Sequence, residues 1–154
     1  MAVTMTGEFV LPADKATVWA RLNDAETLKA SIPGCESLEK VSDTEFRAVT
    51  KLTIGPVSAR FKGRVALTDI DAPNSYRIQG EGEGGVAGFA KGGAAVQLAE
   101  VPGGTQLTYD VEAQVGGKIA QLGARLIDST AKKLAAEFFA NFAKALGGAA
   151  ASST

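Results

Sequence analysis

The sequence contains no histidine and only one cysteine, and both shortages narrow the chemistry that the chain can perform. Without histidine the chain cannot build a Ser-His catalytic triad, and it lacks the commonest metal ligand of proteins. A single cysteine, Cys35, excludes an intrachain disulfide and is typical of a protein in the reducing cytoplasm. Because no histidine can activate this thiol, we do not expect Cys35 to be a nucleophile.

Strong net charge and long apolar runs are missing as well. The 16 basic residues nearly balance the 17 acidic ones, so the net charge is −1. That balance argues against a nucleic-acid partner and against electrostatic capture by an anionic membrane. No apolar run is long enough to predict a transmembrane helix, and residues 1–10 do not resemble a secretory signal. A length of 154 residues favours one domain.

What the chain does contain is alternation. Five segments place apolar and polar residues in turn, and this period of two is typical of antiparallel strands with one wet face. Two further strands are predicted before them, and short links rich in glycine and proline join consecutive strands into a meander. The predicted strands are residues 3–11, 37–41, 44–54, 57–68, 75–84, 88–101 and 105–115.

Helical spacing marks three other segments. Short helices are predicted at residues 15–22, with Asp14 as the N-cap, and at residues 25–31. After a pair of glycines the apolar period changes to 3.6, which predicts one long helix at residues 118–146.

These elements predict an α+β fold in a single domain of residues 1–147. A curved seven-stranded antiparallel sheet wraps around the long C-terminal helix, and the two short helices close one edge. Residues 148–154 are small and polar, and we expect them to form a disordered tail.

The later strands carry very small residues on their apolar face. Glycine weakens a strand, so a row of glycines needs a physical reason. One interpretation is a sharp bend or a close approach of the helix to the sheet. The other is unfilled volume for an apolar guest. The pattern alone leaves both open and favours the first. The residues concerned are Gly80, Gly82, Gly84, Gly88, Ala90, Gly92 and Ala94.

Charged residues on the outer face are expected to neutralise one another. The strand register predicts that Arg64 faces Glu81 and that Lys62 faces Glu83. Solvated surface charge is therefore the simpler interpretation of this face, although an anionic partner remains an alternative.

An apolar link between two strands, residues 84–89, has two interpretations. Val86 and Phe89 could form a docking tip for a membrane or a partner protein, or they could pack against a neighbouring loop.

Several short motifs carry a family resemblance over most of the chain. They are residues 7–12 (GEFVLP), Val18-Trp19, 22–24 (LND), 32–35 (IPGC), 54–57 (IGPV), 61–63 (FKG), 80–85 (GEGEGG), 103–109 (GGTQLTY) and 116–123 (GGKIAQLG). On these motifs the chain resembles the CoxG family, the G-type accessory proteins of carbon monoxide dehydrogenase, within the START-type (SRPBCC) helix-grip superfamily.

The resemblance implies a non-enzymatic accessory role beside a molybdenum-containing carbon monoxide dehydrogenase or a related hydroxylase. Family members are thought to bring the oxidoreductase to the membrane or to carry a lipophilic quinone. We therefore expect a cytoplasmic protein, with peripheral contact at the inner face of the cell membrane as an option. No covalently bound cofactor is expected, and the ligand would be a lipophilic quinone or another lipid.

The resemblance also favours a hydrophobic cavity between sheet and helix, because relatives bind apolar guests there. No catalytic residue and no metal ligand are predicted, and Tyr76 and Tyr109 carry the only hydroxyls among the cavity residues chosen. The predicted cavity residues are Phe46, Phe61, Val65, Tyr76, Ile78, Gly82, Ala90, Gly92, Ala94, Val96, Tyr109, Leu122 and Leu126.

Two rival functions remain open at this point. One is a structural adaptor or assembly factor with a vestigial pocket, and the other is a small cyclase-like enzyme that would have to use Tyr76 and Tyr109. Some family members continue past the long helix into a membrane-associating segment. This sequence ends eight residues after Leu146, so anchoring by its own tail is not expected.

Overall fold

The computed structural model describes residues 1–147, and the predicted tail lies outside the described residues. Seven strands and three α-helices form the fold: β1 (Ala2–Leu11), α1 (Lys15–Leu22), α2 (Ala25–Ser31), β2 (Cys35–Ser42), β3 (Glu45–Ile54), β4 (Val57–Asp71), β5 (Ser75–Glu83), β6 (Phe89–Val101), β7 (Gly104–Gly116) and α3 (Ala124–Ala145). Two 3-10 turns complete it, and we call Gly85–Ala87 the tip turn and Lys118–Leu122 the lead turn.

The seven strands form one antiparallel sheet in the order β1-β7-β6-β5-β4-β3-β2. Neighbours in sequence pair from β2 to β7, and β1 pairs with β7. The predicted meander is therefore confirmed. So is the outer-face register, because Arg64 faces Glu81 and Lys62 faces Glu83. An irregularity near Asp69, whose φ is 49°, then shifts the end of the β4–β5 hairpin by one residue.

The two short helices begin and end at the predicted residues. The carboxylate of Asp24 caps α2, because it accepts hydrogen bonds from the amide (3.1 Å) and the hydroxyl (2.6 Å) of Thr27. Asp14 occupies the N-cap position of α1, but its side chain makes no capping hydrogen bond.

The predicted single helix at residues 118–146 is divided in the structure. Gly123 has a φ of 95°, a conformation that no residue can hold inside an α-helix, and it separates the lead turn from α3. The 22 residues of α3 span about 33 Å at 1.5 Å per residue. The helix ends before Gly147, whose positive φ fits the expected glycine stop.

Two clusters of buried side chains lie between the sheet and the helices. The main cluster is centred on Leu11, Val18, Leu107, Phe142 and Ala143, which have almost no exposed surface. The smaller one, which we call the tip cluster, consists of Phe61, Ala87, Val115, Ile119 and Ile127. Within residues 1–147, no helix is long and apolar enough to cross a membrane.

Candidate functional site

A cavity of about 330 Å³ lies inside the main cluster, between the inner face of the sheet and the last turns of α3. Its volume is at the lower end of the range for ligand sites, and equals the volume of about ten water molecules in the liquid. Residues from α1, α2, α3 and all seven strands form its wall. They are Met5, Leu22, Leu28, Ile32, Leu38, Phe46, Ala48, Val65, Leu67, Tyr76, Ile78, Ala94, Val96, Leu107, Tyr109, Val111, Ala135, Phe138 and Phe139.

The wall of this cavity is almost entirely hydrocarbon. None of the side chains that line it is charged, and the polar groups among these side chains are the hydroxyls of Tyr76 and Tyr109 and the thioether of Met5. Water in such a space finds few hydrogen-bond partners, so the cavity favours an apolar occupant.

Seven of the thirteen residues predicted for a cavity line this one. All seven lie on strands β3 to β7, and they alternate with outward residues as the period of two predicted. They are Phe46, Val65, Tyr76, Ile78, Ala94, Val96 and Tyr109. Whether they contact a ligand stays a prediction.

The structure places three of the other predicted residues at the opposite end of the interior. Phe61 belongs to the tip cluster, and Leu122 packs against that cluster. Leu126 lies over the turn between β3 and β4, where its Cδ2 atom would be 2.7 Å from a Cβ added to Gly55. The prediction placed both leucines on one continuous helix, whereas Gly123, with a φ of 95°, separates Leu122 in the lead turn from Leu126 in α3.

The remaining three, Gly82, Ala90 and Gly92, also lie outside the cavity. An added Cβ at Gly92 would overlap the backbone of β7, at the oxygen of Glu112 and the α-carbon of Ala113. Gly92 therefore permits a close approach of two strands. At Gly82 the nearest atom to an added Cβ is 3.6 Å away, which is ordinary contact. Of the seven small residues singled out in the sequence, Ala94 alone lines the cavity.

Sequence reasoning missed the helical wall of the cavity. Ala135, Phe138 and Phe139 supply it, and their i, i+3 and i+4 spacing on α3 is the signal that could have found them. The short helices and the edge strand β2 contribute as well, through Leu28, Ile32 and Leu38 among others. These residues were apolar in the sequence, but nothing local showed that they share one space.

The two tyrosines of the wall differ in their surroundings. Tyr76 is buried, with 6% of its surface exposed, and the edge of Trp19 packs against its ring at a centroid distance of 5.3 Å. Tyr109 stacks on Phe139 (5.8 Å), and its ring lies over Gly7 on the neighbouring strand. Burial raises the pKa of both phenols above the ordinary value, so both stay protonated as hydrogen-bond donors.

Neither tyrosine hydroxyl has a hydrogen-bond partner among residues 1–147, and burial is the one cause that shifts either pKa. Every fully buried polar side-chain atom in this part of the chain does have a partner. The hydroxyl of Tyr76 therefore borders open space rather than a protein acceptor.

Other reactive groups offer little chemistry. The thiol of Cys35 lies 3.3 Å from the oxygen of Ser37, and burial raises its pKa, which lowers the fraction of reactive thiolate. No group of three acidic, cysteine or histidine side chains within residues 1–147 is close enough to hold a metal ion.

Val86 in the tip turn and Phe89 at the start of β6, which the sequence analysis considered as a docking tip, are both exposed. Val86 is 91% exposed, and Phe89 is 45% exposed. The ring of Phe89 lies over Gly116 of the paired strand, so this residue packs in part against a neighbouring strand. The lead turn contacts the tip turn and adds the exposed cation Lys118.

Comparison with known proteins places the fold among helix-grip structures. Residues 7–147 match the family model for CoxG, the G subunit of carbon monoxide dehydrogenase. A conserved protein from Geobacillus kaustophilus is 32% identical, with 94% of this chain and 95% of that chain covered and a TM-score of 0.88. No curated protein matches significantly.

Two more distant structures share the fold alone. The Zhui aromatase/cyclase from Streptomyces sp. R1128 is 10% identical over 96% of this chain and 94% of its own, with a TM-score of 0.70. A START superfamily protein from Mycobacterium smegmatis is 18% identical over 88% and 92%, with a TM-score of 0.60.

Proposed function

Because the chain belongs to the CoxG family of carbon monoxide dehydrogenase, we propose that it is a non-enzymatic carrier of a lipophilic molecule. It would serve a molybdenum-containing oxidoreductase of the carbon monoxide dehydrogenase type at the cytoplasmic side of the membrane. The guest would be a quinone or another membrane lipid. The observation that carries this proposal is the hydrocarbon-lined cavity of about 330 Å³.

The energetics of such a cavity suit a carrier. A guest that buries about 250 Å² of apolar surface gains about 6 kcal/mol at about 25 cal/mol per Å². The loss of translational and rotational freedom then reduces this gain. Binding of this strength is reversible, and a carrier must release what it takes up.

The side chains that line the cavity also favour a carrier function over an enzymatic one. Its two ionisable side chains, Tyr76 and Tyr109, have pKa values raised by burial. A general base works best when its pKa is near the working pH, and neither phenol meets that condition.

The direct test is to identify the occupant. The protein is purified from its own host without detergent, extracted with organic solvent and analysed by mass spectrometry. We expect a lipophile at a stoichiometric level in wild-type protein and a lower level in Ala135→Leu, which narrows the cavity. Ala136→Leu, on the exposed side of the same helix, is the matched control and should keep the guest.

Two results would overturn the carrier proposal. One is wild-type protein that holds no lipophile from any source. The other is an Ala135→Leu variant that folds, keeps its complex with the oxidoreductase and still supports that enzyme fully, which would favour the adaptor function.

Membrane contact through the tip turn is the second part of the proposal. Val86 and Phe89 would insert at the lipid surface, and Lys118 would lie near lipid phosphates. Val86→Asp should lower co-flotation with liposomes of the host's lipids. Val41→Asp, at another exposed valine, should leave flotation unchanged. Equal flotation of both variants would contradict a role for the tip.

A further inference from the structure

The cavity has one feature that an apolar guest alone does not explain. Tyr76 places a hydroxyl at its wall, and the residue is more than nine-tenths buried. This hydroxyl makes no hydrogen bond within residues 1–147 and borders the cavity, so its hydrogen-bond partner must come from whatever occupies the cavity. Phenylalanine at this position would keep the ring and its contacts but would offer the occupant no donor.

The ring of Tyr76 is held in place by its neighbours. Trp19 from α1 meets it edge-on at 88° between the ring planes, and Val96 and Ile78 flank it on the same face of the sheet. Because these contacts fix the ring, they also fix the arc in which the hydroxyl can point. The donor is therefore preorganised, which reduces the entropy that a ligand contact must overcome.

Tyr109 is a weaker candidate for the same role. Its ring stacks on Phe9 and Phe139, and its hydroxyl oxygen would lie 2.5 Å from a Cβ on Gly7. This places the hydroxyl against the backbone of the edge strand β1, whereas Tyr76 belongs to β5 near the middle of the sheet.

We propose that the hydroxyl of Tyr76 donates a hydrogen bond to an oxygen of the bound molecule, so that the guest carries a carbonyl or ether oxygen on the part that enters the cavity. This inference rests on the proposed carrier function and specifies its ligand class. A volume of about 330 Å³ suits a small ring system. A long hydrocarbon chain attached to such a ring would extend out of the cavity.

A pair of shape-matched probes tests the hydrogen bond. The probes are 2,3-dimethyl-1,4-naphthoquinone and 1,2,3,4-tetramethylnaphthalene, in which methyl groups replace the carbonyls. The quinone has no free ring position for addition of a thiol, so Cys35 does not interfere. Dissociation constants are measured by equilibrium dialysis for wild type, Tyr76→Phe and Tyr109→Phe, with thermal unfolding as the check on folding.

We expect Tyr76→Phe to weaken quinone binding about three- to tenfold, the range for one net hydrogen bond. Binding of the hydrocarbon should change less than twofold, and the unfolding midpoint should hold or rise. Infrared difference spectra should show a lowered carbonyl stretching frequency for the quinone in wild type, and Tyr76→Phe should abolish that shift.

The outcomes separate this inference from the proposed function. If neither probe binds to the wild-type protein, the carrier proposal and the hydrogen bond both fail. If both probes bind and Tyr76→Phe affects them equally, the cavity binds lipophiles but the hydrogen bond does not exist. A loss of quinone affinity in Tyr109→Phe alone would also overturn the assignment to Tyr76.

Discussion

The main cluster and the tip cluster fill the two ends of one interior, yet one end is hollow and the other is closed. The hollow end is lined by large side chains, among them Phe46, Tyr76 and Phe138. The closed end contains many of the glycines. At the closed end the glycines let backbones and rings come close together.

Backbone contacts show how the closed end is sealed. Gly88 and Gly117 touch where β6 begins and β7 ends, and a Cβ on Gly117 would be 2.5 Å from the α-carbon of Gly88. The ring of Phe61 lies over Gly84, 2.7 Å from the position of an added Cβ. The small residues that first suggested empty space therefore do much of the closing.

The largest loss of stability should come from a side chain placed where the backbones of Gly88, Gly116 and Gly117 are in contact. Gly88→Ala puts a Cβ onto the oxygen of Gly116 at a φ of 118° that only glycine adopts readily, and should cost about 3 kcal/mol or more of unfolding free energy. Gly85→Ala, in the same turn with a φ of 62° but open space, should cost about 1 kcal/mol. Urea unfolding measures both, and equal costs would contradict the sealed contact.

The next prediction compares two alanines of α3, one that faces the cavity and one that is fully packed. Ala143→Leu forces a larger side chain into fully packed surroundings and should destabilise the protein by about 2 kcal/mol. Ala135→Leu projects into the cavity and should be neutral or stabilising by up to about 1 kcal/mol. Differential scanning calorimetry gives both values. Equal destabilisation would mean that the cavity is not available space.

A smaller difference in unfolding free energy is expected between the removal of two buried hydroxyls, those of Thr105 and Tyr76. Thr105 is fully buried and donates a hydrogen bond to the oxygen of Ala13 at 2.8 Å, so Thr105→Val should cost about 1–2 kcal/mol. Tyr76→Phe breaks no hydrogen bond within residues 1–147 and should leave unfolding free energy unchanged within about 0.5 kcal/mol. A cost for Tyr76→Phe similar to that for Thr105→Val would reveal a protein partner for the phenol.

The smallest expected effect is a loss of stability at low pH in α2, the short helix that lines part of the cavity. Hydrogen bonds from Thr27, helped by the charges of Arg21 and Lys40, lower the pKa of Asp24 below its ordinary value of 3.8. The carboxylate therefore stabilises α2 above about pH 4, and this contribution disappears as the pH falls through the lowered folded-state pKa. The protection factors of the α2 amides, which are exchange rates corrected for the intrinsic pH dependence, should fall at about pH 3 relative to about pH 6, with less change in Asp24→Asn. A matching fall in the tip turn would contradict a local effect.

Most of the fold could be predicted from the sequence because its determinants are local. Alternation predicted the strands, helical spacing predicted the two short helices, and the β4–β5 register followed from hairpin geometry. The position of the hollow could not be predicted in this way. It depends on how far α3 lies from each part of a curved sheet.

The wall of the cavity shows which part of the site could not be predicted from the sequence. Inward strand residues such as Val65 and Ile78 could be assigned from the alternation, but the partners that face them come from α2, β2 and the far end of α3. Residues more than a hundred positions apart share one surface, for example Met5 and Phe138. No local pattern encodes that distance, so the helical half of the site emerged only with the structure.

The aromatic rings that cover glycines have a consequence for how this sequence can change over time. At Gly116 an added methyl group would strike the ring of Phe89, and at Gly7 it would strike that of Tyr109. Each such pair is coupled by about 0.5–3 kcal/mol, as expected for residues in contact. A glycine here can gain a side chain only if its ring moves aside or becomes smaller, so the order of two substitutions affects the stability of the intermediate. Descendants of this chain should therefore change these positions in pairs, with the aromatic residue changing first.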